Sequence, residues 1–221
     1  MSVEHLLAFW RSTLGKKVVM GATGLIMVGW VIVHMLGNLQ AFEGAEKLNA
    51  YGAMLHGPLR EVVLLVRVVL IACVILHIVA AVQLTLRDRA ARPVGYARSE
   101  AQAATVASRT LRIGGVLLLV FIVYHLLHFT TGDLHPDFIP GDPYHNLVSG
   151  LQRPVVAAFY LVAMVALGLH FYHGTWAGFR SLGIGPESPR PRHRPLAILV
   201  AAVVWLGFSA IPVAVLLGWL R

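Results

Sequence analysis

The chain has 221 residues, 57% of them hydrophobic and only 13% charged, with a net charge of +8 and a mean hydropathy of +0.73. A soluble domain of this size has no use for so much apolar surface, so the composition excludes a water-soluble globular fold and points into a bilayer. One cysteine, Cys73, excludes a disulfide framework, a cysteine-ligated iron–sulfur cluster and a thioether-linked haem.

Five apolar runs follow one another along the chain, roughly 17–40, 60–87, 112–131, 154–179 and 195–220. At ~1.5 Å per residue each crosses a hydrocarbon core ~30 Å thick as a helix. Barrel strands would be shorter and would alternate polar with apolar residues, which these runs do not. The first run starts late, is long for a leader and runs into Asn38 and Gln40, so it reads as a spanning helix and not a removed signal. The expected fold is all-α: a polytopic membrane protein with five transmembrane helices in one domain over 1–221, without an internal repeat.

Lys and Arg set the expected orientation. Thirteen of the 18 lie in the N-terminal arm (Arg11, Lys16, Lys17), around the second loop (Arg87, Arg89, Arg92, Arg98, Arg109, Arg112) and in the fourth loop (Arg180, Arg190, Arg192, Arg194). Lys47, Arg60, Arg153 and Arg221 lie on the other side, and Arg67 is inside the second run. By the positive-inside rule the N-terminus is cytoplasmic and the C-terminus outside. The positive charge therefore faces membrane lipid or a docked acidic subunit, and no extended basic surface for nucleic acid is left.

Four histidines sit deep in four of the runs: His34 in GWVIVHMLGN, His77 in CVILHIVAA, His125 in VFIVYHLLHF and His170 in VALGLHFYHG. Ionisable side chains in hydrocarbon are expensive, and imidazole is a common axial ligand of haem iron. Four such ligands suffice for two non-covalent b haems, each clamped between two helices. Counted from the cytoplasmic ends, His34 lies ~25 Å in and His125 ~20 Å, whereas His77 and His170 lie ~15 Å in. Depth thus pairs His34 with His125 in the outer half and His77 with His170 in the inner half.

Other residues have two readings each. Gly21, Gly24, Gly29, Gly114, Gly115, Gly168 and Gly174 would admit a porphyrin or simply allow close helix packing. His128 and His173, each three residues after a proposed ligand, could contact a propionate or quinone, or be a satisfied polar pair. Arg67 could pair with a propionate or snorkel outward. His5, His56, His135, His145 and His193 read as solvated, with His56 near enough to the second run to touch a cofactor edge. TGDLHPDFIPGDPYHN reads as a loop of turns, and the tryptophans mostly as interfacial anchors.

Several stretches carry a family resemblance: VHMLGNLQ followed by LNAYG, YARSEAQAATVASRTLR, HLLHFTTGDLHPDF and LGLHFYHGTWAGFRSLG. With one histidine on each of the first four helices and none on the fifth, the chain resembles the cytochrome b subunit of succinate dehydrogenase, the b558 family of succinate:quinone oxidoreductases. The resemblance spans the N-terminal arm through Gly183. It implies two haem b groups, His34 and His125 on the outer and His77 and His170 on the inner, with quinone, menaquinone expected, as substrate. It further implies a flavoprotein and an iron–sulfur subunit docked on the cytoplasmic side of a bacterial inner membrane, with a higher oligomer of the complex left open. The chain itself has no nucleophile–base set or dinucleotide motif, so succinate oxidation falls to its partners. Two other readings stay open: the cytochrome b of a hydrogenase or formate dehydrogenase, and a haem-free structural anchor.

Overall fold

The structure is a computed structural model describing residues 2–91, 106–181, 183 and 194–221. The described residues form α1 (Val3–Arg11), α2 (Thr13–Leu39), a short 3-10 turn (Gln40–Glu43), α3 (Ala45–His56), α4 (Arg60–Ala90), α5 (Val106–Phe129), α6 (Pro143–Leu151), α7 (Pro154–Ser181) and α8 (Arg194–Leu216), with no strand among them. Five helices are long and apolar enough to span a membrane, over Thr13–Glu43, Arg60–Ala90, Arg109–Phe129, Pro154–Ser181 and Pro195–Leu216. Arg92, Arg98, Arg190, Arg192, His193 and much of YARSEAQAATVASRTLR lie outside the described residues.

The spanning helices match the five apolar runs, with ends shifted by a few residues. α2 begins earlier because Ser12 caps it, its hydroxyl accepting from the Gly15 amide at 2.8 Å. α8 ends earlier, and a left-handed Gly218 turns the chain after it.

Helices α2 and α7 form the centre. α4 packs against α2, α5 against α7, and α8 against both. The α2–α7 crossing is close because a Cβ on Gly21 would meet the Gly178 carbonyl at 3.5 Å. At Gly21, then, helix packing accounts for the small residue, and Gly168 likewise faces Trp205 of α8. Outward faces of α4 and α5 expose Val62, Leu65, Ile71, Ile113, Val116 and Val123, which suits contact with acyl chains.

The loop between the third and fourth spans departs from the sequence expectation. It holds the two-turn α6, started by Asp142 as N-cap and by Pro143 at the first helical position, where a missing N–H costs nothing. Asn49 of α3 donates to Asp142 at 2.9 Å and accepts from the Tyr144 amide at 3.0 Å, so α3 and α6 cap one end of the bundle together. At the other end α1 folds back on α2. Lys16 donates to the Trp10 carbonyl at 2.5 Å and Arg87 to the Arg11 carbonyl at 2.7 Å, two cations on the C-terminal carbonyls of α1.

Candidate functional site

The histidines gather into two pairs. His34 of α2 faces His125 of α5, ring centroids 5.8 Å apart with planes at 83°. His77 of α4 faces His170 of α7 at 6.2 Å and 57°. Each pair spans two helices that do not pack closely backbone to backbone, α2 with α5 and α4 with α7, although both helices of each pair lie against a shared neighbour. The imidazoles thus meet across gaps held open by the surrounding helices. The first pair lies toward the end capped by α3 and α6, the second toward α1.

Their surroundings differ. The His34–His125 pair is walled by aromatic rings: Trp30 stacked at 6.0 Å and Phe208 at 5.9 Å on His34, Phe121 and Phe129 each at 5.7 Å on His125. Trp30 therefore faces the site and does not act as an interfacial anchor. α8, which carries no histidine, contributes the Phe208 wall.

The His77–His170 pair sits against helix backbone instead. His77 Nδ1 donates to the Met20 carbonyl at 3.0 Å, with the Thr23 hydroxyl at 3.4 Å. That bond puts the proton on Nδ1 and leaves Nε2 with a free lone pair. Gly24 borders the same ring, where a Cβ would lie 3.3 Å from His77 Cε1. His170 Nδ1 is buried without a hydrogen-bond partner. A Cβ on Gly29 or on Gly174 would meet nothing within 4 Å, so both positions border open space.

Of the remaining sequence candidates, His128 is 1% exposed and close to the first pair, its Nδ1 3.0 Å from the Tyr160 hydroxyl. His173 is half-buried on α7, one turn after His170. Arg67 is exposed on α4 and belongs to neither pair. His56 is exposed and hydrogen-bonds the Gly52 carbonyl of its own helix.

His135 corrects the expectation of a solvated loop histidine. It is 4% exposed and stacks on His128 at 4.8 Å, because α6 folds over it and the Asn146 carbonyl accepts its Nε2 proton at 2.9 Å. Tyr160 and Phe208 carried no signal of their own in the sequence. Only their placement opposite His125 and His34 reveals them.

Among the described residues no three of His, Cys, Asp or Glu converge on one metal position. Each pair instead brings imidazoles of two different helices within 5.8 or 6.2 Å of each other, a donor set suited to a group that brings its remaining ligands itself. A multi-pass helical membrane protein with paired imidazoles between its spans is the class these features define. Residues 88–209, more than half of the chain, match the family of succinate dehydrogenase/fumarate reductase transmembrane subunits, and the chain belongs to that family. The matched stretch contains His125 and His170, one member of each pair. No curated protein and no solved structure matches the chain.

Proposed function

We propose that this chain is the two-haem cytochrome b anchor of a succinate:quinone oxidoreductase, relaying electrons from an iron–sulfur subunit to quinone. The observation that carries the reading is the pair of imidazole couples set across helix gaps. At 5.8 and 6.2 Å the two rings of each couple are close enough to hold one group between them. The unpartnered, buried His170 Nδ1 fits a group bound at that pair as well.

Bound b haems would supply reversible one-electron chemistry at iron. His34 and His125 would hold one, His77 and His170 the other. Met20 orients His77 through its carbonyl, and the aromatic wall around His34 and His125 excludes water from that pair. His128, His173 and Arg67 are the polar side chains available to propionates or to quinone, for which menaquinone is our choice.

The excess of basic residues at the α1 end supports a cytoplasmic N-terminus, an outside C-terminus and docking of the flavoprotein and iron–sulfur subunits on that face of a bacterial inner membrane. On this orientation His34–His125 is the outer site and His77–His170 the inner one. A pyridine haemochrome assay with protein quantitation tests the reading. It should return about two haems b per chain. One or none removes the two-haem assignment.

A further inference from the structure

We propose that Tyr160, held by His128, is a positioning residue for His125: its hydroxyl keeps the His125 proton on Nδ1 and so presents Nε2 toward His34. This rests on the reading of His34 and His125 as one ligand pair.

The argument starts from the tautomers. His135 is fixed by two neighbours: the Asp137 amide donates to its Nδ1 at 3.2 Å, so Nε2 carries the proton and donates to the Asn146 carbonyl at 2.9 Å. His128 is stacked on His135, and both rings are wedged against α6 at Gly150. A Cβ there would lie 2.8 Å from His128 Cε1 and 2.9 Å from His135 Nε2. His128 therefore has a set place in the α3/α6 cap, and its Nδ1 lies 3.0 Å from the Tyr160 hydroxyl. The same hydroxyl lies 3.5 Å from His125 Nδ1.

A hydroxyl has one proton to give and lone pairs to accept with. If Tyr160 donated to His125 Nδ1, the proton of His125 would sit on Nε2 and that nitrogen could ligate nothing. If it accepted from both rings, its own proton would stay unsatisfied in a buried site, at a cost of about 1–3 kcal/mol. Of the arrangements that keep His125 Nε2 free for a ligand, one also uses the Tyr160 proton. His125 Nδ1–H donates to Tyr160, and Tyr160 donates to His128 Nδ1. Met20 does the same for His77 with a backbone carbonyl, so one member of each pair is oriented through Nδ1 by a neighbouring helix.

An acceptor on Nδ1–H raises the donor strength of the opposite nitrogen, which favours ferric over ferrous iron. Tyr160→Phe keeps the ring contacts with Phe121, Tyr124 and Phe129 and removes only the hydroxyl. In the assembled complex, with the two haem signals assigned by His34→Ala and His77→Ala, redox titration of Tyr160→Phe should show the His34–His125 component shifted to higher potential. Its EPR g values should change, and the His77–His170 component should stay put. Selective loss of the His34–His125 haem would also support the role. Unchanged potentials and g values with both haems bound would overturn it.

If Tyr160→Phe fails to assemble, His128 decides. His128→Leu should produce the same selective shift, and His128→Asn, which restores an acceptor near Nδ1, should largely reverse it. Equal behaviour of Leu and Asn overturns the proposal. A wild-type complex without haem overturns both this inference and the function it rests on, whereas a two-haem wild type with a silent Tyr160→Phe overturns the inference alone.

Discussion

A buried imidazole is useful as a ligand only if something decides which nitrogen carries its proton. At His77 the Met20 carbonyl decides it, 3.0 Å from Nδ1. The pairing makes the first prediction. His77→Ala or His170→Ala should remove one haem component from the optical or EPR redox spectrum, and His34→Ala or His125→Ala the other. Loss of the same component from His34→Ala and His170→Ala, with His125→Ala sparing it, would break the pairing. A second prediction concerns Gly24. Alanine is the better helix former by ~1 kcal/mol, so the substitution should leave α2 intact. Its Cβ would nevertheless press on His77 from 3.3 Å. Gly24→Ala should therefore perturb the His77–His170 component alone, and identical spectra for mutant and wild type would show that the ring yields without consequence. The four histidines were legible in the sequence because a charge-capable side chain in an apolar run is anomalous by itself. Tyr160, Trp30 and Phe208 were not, since an aromatic residue in a spanning helix is ordinary until its neighbour across the bundle is known.

At the scale of elements, legibility followed hydrocarbon thickness. A run long enough to cross a membrane announces a helix whatever its neighbours do, which is why five spans could be read directly. α1, α3 and α6 are short, lie at the bundle ends and take their order from tertiary contacts. For α6 a signal was nonetheless present: the Asp-Pro pair at 142–143 is an N-cap followed by a proline at the first helical position. Turn-forming residues around it, Gly132, Pro136, Pro140 and Gly141, pointed the other way. Asp142 also yields a prediction. The His145 amide, then the Asn49 side chain, hold its carboxylate below the ordinary carboxylate range. A depressed folded pKa means that its contribution is present above the unfolded pKa and is lost as pH falls through the folded one. Asp142→Ala should cost about 1 kcal/mol near neutral pH, the usual worth of an N-cap. Thermal unfolding in detergent would check it: the gap between mutant and wild type should close on acidification, and a gap that stays constant with pH would remove the carboxylate as its source.

On the proposed function, the question for the molecule as a whole is where charge moves when quinone is reduced. No Asp or Glu lies inside any of the five apolar runs; Glu61 stands at the edge of the second, and the other acids are at ends or in loops. Acidic side chains are the usual carriers of a proton path through a bilayer, so a carboxylate relay spanning this protein is unsupported. Buried polar groups lie in both halves, Lys16, Thr23 and Thr175 in the half nearer α1 and His128 and His135 beside Tyr160 at the α3/α6 end. With the proposed orientation that end faces outside. Quinone reacting there would exchange its protons with the outer medium, while electrons arriving from the cytoplasmic side cross most of the membrane without a compensating proton. Turnover would then be electrogenic. Quinone reacting near His77 and His170 would draw protons from the cytoplasm instead, and no net charge would cross. We favour the first arrangement. Vesicles reconstituted with the whole complex and given succinate and a menaquinone analogue should develop a membrane potential, read with a voltage-sensitive dye. Steady turnover with no dye response would place the reaction at the inner pair and end the outer-exchange idea.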